Sequence, residues 1–427
     1  MMSTQFTGRR VAGSAGSIPQ SGGRKGLGPS HMQTITLRAR WIVPISSPPI
    51  ENGFVEIAAG RIVRCGPLTT DVAVSVDLGD VAILPGLVNS HTHLEFSDLA
   101  QPIGHAGMEL ADWIVQVIQS RATRVAEDNS IDCVVELGAM EAVQSGTALI
   151  GEIATTPWQM PSTDVGIVSY AEVLGLTTGR ATERWNAAVR HLDLYPHASG
   201  ISPHAPYSAP PELISRCVDH AIHLGRPLAM HVAESPAERE LLQHGSGPLA
   251  DQLSTLGLDM ESHFPWASSD PFGWLIDLLA RAPAASIIHG NNLSPAEMER
   301  VASHPTLSVV YCPRTHAYFG HAPHPVADLA AAGVNVALGT DSRASNPDLQ
   351  LWREVQFLLN HRQDLSPHTV LRMATYGGAA AMLQDHDYGT LLPGRLAAFA
   401  SVPTTAHDVN RLYADLAVAD ASQLTPL

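Results

Sequence analysis

Four short stretches of the 427-residue sequence hold residues whose types and spacing could assemble a reactive metal centre. His91-Thr92-His93 closes an apolar run. In an extended strand residues i and i+2 point the same way, so both imidazoles face one site. His231-Val232-Ala233-Glu234, His289 and Thr340-Asp341 each close a further apolar run. Three histidines and an aspartate suit a borderline divalent ion such as Zn(II) or Fe(II) and leave a position for water. Such an ion lowers the pKa of its water towards 7. Singly, each signal has a plainer use. His289 suits an interior, Asp341 a turn, and Glu234 the start of the helix that Ser-Pro-Ala-Glu-Arg-Glu announces. Their falling at the ends of separate strands, in order, is what favours one shared site.

The elements that must carry these residues can be read from the patterning. Eight apolar runs have the length of buried strands: ILPGLVNS, TALIGEI, VGIVSYAEV, SGISPHAPYS, PLAMHVAES, ASIIHGNNL, LSVVYCPRTH and NVALGTDS. Helical periodicity fills most intervals, as in 110–124, 131–144, 211–224 and 295–303. Alternation of this kind predicts an α/β fold, a (β/α)8 barrel of the TIM type, whose functional residues project from the C-terminal strand ends. Residues 32–84 instead read as short strands broken by Gly and Pro, and LLPGRLAAFASV near the other end reads likewise. The expected organisation is a disordered tail (1–31), a β-sandwich sub-domain built from 32–84 and 386–427, and the barrel between them (85–385). Met32 is a candidate translation start.

Composition removes several classes of function. The chain is 45% hydrophobic and 15% charged, enough to bury a large core. No apolar run reaches the roughly 18 residues of a membrane span. The net charge is −16, and Arg9, Arg10, Arg24 and Lys25 all lie in an acid-free tail, so the folded body is more acidic still. It should repel nucleic acid and anionic membranes. Lys25 is the only lysine, which excludes a Schiff base, a P-loop lysine or a carbamylated lysine in the body. The 21 histidines are in excess. Cys65, Cys133, Cys217 and Cys312 are widely spaced with no CxxC pair, which fits reduced thiols in a cytoplasmic protein.

Taken together, ILPGLVNSHTHLE, SPHAPYS, AMHVAES, IIHGNNL, GTDSRASN and LLPGRLAAF resemble the amidohydrolase superfamily, in particular its metal-dependent deaminase and chlorohydrolase group. The resemblance extends over about residues 32–400. It implies His91, His93, His231 and Asp341 as ligands of one divalent metal, Zn(II) first and Fe(II) next. Glu234 is implied as proton shuttle, with His289 and Asp341 as further catalytic groups and His204 as a substrate contact. Binuclear relatives bridge two metals through a carbamylated lysine, which this chain lacks. HAPYS resembles deaminases of adenosine-like nucleosides, so the implied reaction is hydrolytic deamination of a heteroaromatic small molecule. A chlorohydrolase or another non-peptide C–N hydrolase is the alternative on the same fold, and a catalytically silent metal-stabilised binding protein the remote one. All the implied ligands are retained.

Departures from the group bear on the substrate. The Arg-Gly that tends to follow HTH in nucleoside deaminases is replaced by LEFSDLAQPIGHAGM, with Glu95, and no acid for a ribose follows Trp113. Arg121 and Arg124 could face an anionic substrate or form a solvated helix face. CPRTHAYFGHAPHPV could form a lid or specificity wall, with Arg314 and His316 as candidate substrate contacts, or a Pro-rich structural loop. SHFPWASSDPFGW could stack Trp266 and Trp274 on a flat ring or pack them on the barrel. Homo-oligomerisation suits such a barrel, but no segment marks an interface.

Overall fold

A computed structural model describes residues 34–126, 131–155, 158–255 and 257–424. The expectations for the tail 1–31 and for Met32 lie outside the described residues. Five strands come first: β1 (Ile35–Ile42), β2 (Ile50–Ala58), β3 (Arg61–Pro67), β4 (Val76–Asp77) and β5 (Val81–Pro85). Eight more, β6 (Leu87–Thr92), β7 (Thr147–Ala154), β8 (Gly166–Val173), β9 (Ser199–Pro203), β10 (Leu228–Val232), β11 (Ala285–His289), β12 (Leu307–Tyr311) and β13 (Asn335–Leu338), pair in parallel in sequence order. They coincide with the eight apolar runs. All five residues of β9, β10, β11 and β12 are buried, as expected of parallel strands covered on both faces.

The helices used below are α1 (Leu110–Ala126), α2 (Ile131–Gln144), α3 (Thr178–Leu194), α4 (Pro211–Leu224), α5 (Pro236–His244), α6 (Pro248–Thr255), α7 (Pro271–Leu279), α8 (Pro295–Ala302) and α9 (Pro313–Phe319). Proline at the start of α4, α5, α7, α8 and α9 fixes φ where the N–H has no intrahelical partner. The chain ends join the opening strands in one seven-stranded sheet. There β14 (Phe399–Pro403) pairs antiparallel with β5 and with β15 (Ser422–Leu424). Leu37, Val55, Ile57, Ile62, Ile83, Leu391 and Phe399 form the hydrophobic core of this sub-domain.

The two ends of the barrel sheet meet at the chemically interesting strand tips. Asn89 Nδ2 donates to Thr340 Oγ1 (2.8 Å), and Thr340 N donates back to Asn89 Oδ1 (3.1 Å). Asp341 N donates to the His91 carbonyl (3.1 Å), and Thr92 Oγ1 to the Asp341 carbonyl (2.8 Å). Gly339 makes this approach possible, because a Cβ there would lie 2.9 Å from both Cβ and O of His91. Gly339→Ala is therefore expected to cost about 1–3 kcal/mol by overpacking. The thermal midpoint and the metal bound per chain should fall together.

Candidate metal and active site

Each residue singled out at a strand tip projects from a different part of the barrel into one place. His91 lies in β6, His93 just past its end, His231 in β10, His289 at the end of β11, and Asp341 three residues past β13. Ligating atoms of His91, His93 and His231 lie within 4.8 Å of one another, as do those of His91, His289 and Asp341. Asp341 Oδ1 is 3.5 Å from His91 Nε2 and 3.8 Å from His93 Nε2. All five side chains are buried. Both ring nitrogens of His91 and Nδ1 of His93 are buried with no hydrogen-bond partner. Such orphaned nitrogens are costly unless something electrophilic takes their lone pairs, so the donor set fits a divalent cation. Burial holds the imidazoles of His93, His231 and His289 well below their ordinary range, which keeps those lone pairs available. Burial pushes the other way on Asp341, but the neighbouring imidazoles, His91 foremost, outweigh it and hold its carboxyl below the ordinary carboxylate range.

The surroundings orient these groups. His231 Nδ1 lies 2.8 Å from the His204 carbonyl, which directs Nε2 towards the cluster. Ser345 Oγ donates to Asp341 Oδ2 (2.9 Å). Ala233, His289 and Asp341 all have left-handed backbones, with φ of 54°, 70° and 56°. Non-glycine residues hold that conformation at a cost of order 1–3 kcal/mol each. Strain in the barrel is thus concentrated at the tips that carry the site.

Glu234 stands at the edge of the cluster with Oε1 3.5 Å from His289 Nε2. Burial, reinforced by the charges of Asp341 and Glu238, lifts its carboxyl well above the usual carboxylate range; a hydrogen bond from Tyr207 opposes this. A carboxyl poised in this way suits proton transfer near neutral pH. His93, His231, Glu234, His289 and Asp341 form the floor of a cavity of about 300 Å³. Phe96, Trp113, Val117, Leu174, Leu176 and Leu258 give the rest of the cavity a largely apolar lining. His204 lines the cavity with Nδ1 2.7 Å from Ser208 Oγ, and burial pushes its pKa down to about 3.

Of the nine candidate residues, His91, His93, His204, His231, Glu234, His289 and Asp341 come together. Arg314 and His316 do not. Arg314 grips Asp348 with both terminal nitrogens (2.9 and 2.6 Å) and Glu354 with Nε (2.6 Å). His316 Nε2 lies 2.9 Å from the Ala322 carbonyl. Neither lines the cavity. This stretch is helix α9, which buries His316 and turns Arg314 towards acids far along the chain. The segment buttresses the site instead. Phe319 packs edge-on against Trp113 at 5.3 Å, and His324 Nε2 lies 2.8 Å from the His289 carbonyl. Because the Glu354 carboxylate has no solvent exposure, Arg314→Ala should cost about 3–5 kcal/mol by leaving a buried charge unpaired. A denaturant titration should show this loss. KM should stay within about twofold, since no substrate contact goes.

The arginines after Trp113 divide. Arg121 lines the cavity, ion-paired to Glu95, whereas Arg124 is held by the Glu95 carbonyl and Asp98. Trp266 packs edge-on with Trp274 at 5.6 Å, and neither reaches the cavity. Tyr207, Thr177 and Arg180 also line the cavity, and no sequence motif marks Thr177 or Arg180. Trp113, Val117 and Arg121 are spaced i, i+4, i+8 on α1, a spacing that places them on one helix face.

Residues 82–420 match the family model described as "Amidohydrolase family". The chain belongs to that family. It is a hydrolase acting on carbon–nitrogen bonds, built around a divalent-metal site. It is similar to the aminodeoxyfutalosine deaminase of Deinococcus radiodurans, 31% identical over 313 residues, covering 69% of this chain and 72% of the relative. Similarity to the 5-methylthioadenosine/S-adenosylhomocysteine deaminase of Moorella thermoacetica is 28% over 393 residues, covering 86% and 85%. Among solved structures, an adenosine deaminase from Xanthomonas campestris with bound zinc superposes with a TM-score of 0.69 at 25% identity, covering 90% of this amidohydrolase and 89% of that chain. No helix among its described residues is long and apolar enough to cross a membrane, and all four cysteines are free.

Proposed function

We propose that this amidohydrolase is a hydrolytic deaminase of a flat heteroaromatic amine, with adenine-type nucleosides as the substrate class. The observation that carries the reading is Glu234, a buried carboxyl with a raised pKa, beside His289 and lining a largely apolar cavity of about 300 Å³. Relatives named as adenosine-type deaminases support it. His91, His93, His231 and Asp341 would hold one divalent ion, zinc first and Fe(II) next. When bound, the ion supplies an acidified water.

The protein's own groups then have distinct tasks. Glu234 takes the water proton and delivers it to the ring nitrogen next to the amine-bearing carbon, which makes that carbon electrophilic. The water oxygen adds to the carbon, and His289 steadies the charge developing on it. Asp341 accepts the remaining O–H proton and passes it to the amine. The C–N bond breaks, ammonia leaves, and the ring keeps a carbonyl oxygen. His204 and Tyr207 position the ring, and Arg121 lines the same cavity. The free thiols fit a cytoplasmic setting.

Ammonia release should be measured across adenine nucleosides, guanine, cytosine and aminotriazines with metal-analysed protein. Release from one ring class, lost on chelation and restored by one metal, is the expected result. Silence towards amines with halide release from a chlorotriazine would replace deamination by dechlorination, because chloride needs no proton to leave.

A further inference from the structure

The sequence contains the tetrapeptide Ser-Pro-Ala-Glu twice, at 235–238 and 294–297, and each copy opens a helix. The second does what such a segment ordinarily does. Ser294 Oγ accepts from Glu297 N (3.3 Å), and the Glu297 carboxylate reaches back to Ser294 N (2.8 Å). That is a reciprocal capping box. In the first copy Ser235 still caps, accepting from Glu238 N (3.4 Å). The Glu238 carboxylate, however, bypasses Ser235. Its two oxygens accept from Ala233 N (2.9 Å) and Glu234 N (2.8 Å). The same four residues are thus used differently at the one helix start that follows the proton-shuttling carboxyl.

Other contacts converge on this short turn. Asn291 Nδ2 donates to the Glu234 carbonyl (3.0 Å), and Asn292 N to the Ala233 carbonyl (2.7 Å). Both polar backbone groups of Ala233 and Glu234 are therefore tied, and Ala233 is held in its left-handed conformation between His231 and Glu234. Arg239 faces the same network, clamping Glu297 with both terminal nitrogens (2.9 and 2.8 Å) and Asn292 Oδ1 with Nε (3.0 Å). Glu238 itself is fully buried and touches no part of the cavity.

We propose that Glu238 is a positioning residue for the reaction: by gripping the N–H groups of Ala233 and Glu234 it fixes where the Glu234 carboxyl stands relative to the reacting atoms. This rests on the reading of Glu234 as the proton shuttle. A displacement of that carboxyl by about 1 Å is enough to slow a proton transfer by up to about 100-fold. Glutamine at 238 keeps the size but presents an amide N–H to one of the two donors, so the grip is halved.

The test compares Glu238→Gln with Glu297→Gln, which removes the equivalent carboxylate from the other copy. For E238Q, kcat should fall about 10- to 100-fold, with KM and metal content close to native and Glu234 displaced in a crystal structure. For E297Q, which reaches the turn only indirectly through Arg239 and Asn292, the thermal midpoint should fall while kcat and the Glu234 position change much less than in E238Q. Glu238→Asp, charged but one methylene short, should lie between Glu and Gln in kcat, and it serves if E238Q does not fold. An unmoved Glu234 in E238Q, or equal losses of kcat in E238Q and E297Q, overturns the proposal. An inactive native protein would count against the deaminase reading alone, since the crystal comparison still decides the positioning.

Discussion

Glu234→Gln is expected to lower kcat by about three to four orders of magnitude, the upper range for loss of a general acid–base group. At 1.36 kcal/mol per factor of ten this is about 4–5 kcal/mol of transition-state stabilisation. Glutamine fills the same space and can still accept the bond that Tyr207 makes to the native carboxyl. What it cannot do is take one proton and give it back. Metal stoichiometry should therefore stay native, because His91, His93, His231 and Asp341 are untouched; steady-state kinetics and metal analysis on the same sample check both halves. A stability effect of opposite sign should accompany the loss. Burial raises the pKa of Glu234 in the folded, metal-free protein, so the folded state binds this proton more tightly than the unfolded state does. The associated stability is complete below the ordinary carboxylate value of about 4.3 and declines as pH rises above it. The chelated variant, which has no such group, should melt above chelated native protein at pH 8, and the gap should close by pH 4. A variant that melts lower at pH 8 would place Glu234 in a different electrostatic setting from the one described.

How far the sequence leads depends on how locally each feature is encoded. All eight barrel strands are readable because parallel strands covered on both faces are continuous apolar runs, and prolines mark the starts of α4 and α8. The clustering of the residues proposed to hold the metal is readable for a related reason. A barrel places every strand tip at one end, so residues as far apart as His91 and Asp341 become neighbours without any local signal joining them. Direction within a connecting segment is not encoded in this way. Arg314 and His316 sit at the right end of the barrel, but the acids that capture Arg314 lie 34 and 40 residues further on, and only the folded helix α9 shows which side faces inward. Arg121 marks the boundary between the two cases. Its helical spacing from Trp113 and Val117 is local, and that face can be drawn from sequence; that the face looks into the cavity depends on how α1 packs. Glu238 is harder still. Its tetrapeptide is identical to that of Glu297, and the difference lies wholly in which backbone donors the preceding turn presents.

His231→Ala should abolish turnover and metal retention together, the second large effect expected here. His231 is buried, its Nδ1 is occupied by the His204 carbonyl, and its pKa is driven well down by burial. It is therefore a neutral imidazole with one free nitrogen aimed at His91 and His93, whose ring centroids are 4.9 and 5.5 Å away. Removing it leaves two histidines and an aspartate, one donor short of the set, and a hole beside the remaining orphaned nitrogens. At a metal concentration 1,000 times its dissociation constant, binding stabilises the native protein by about 4 kcal/mol. Native protein should thus lose several degrees of thermal midpoint on chelation and regain them with the metal. The H231A variant should melt close to chelated native protein whether or not metal is added. Turnover should follow metal content across the series, falling with chelation and returning in native protein only. If H231A instead bound one equivalent of metal and responded to it thermally, His289, whose ring lies 5.7 Å from His91, would have to be the third imidazole ligand. Its partnership with Glu234 would then be with a metal-bound group, and the division of labour between ligands and proton carriers would have to be redrawn around that exchange.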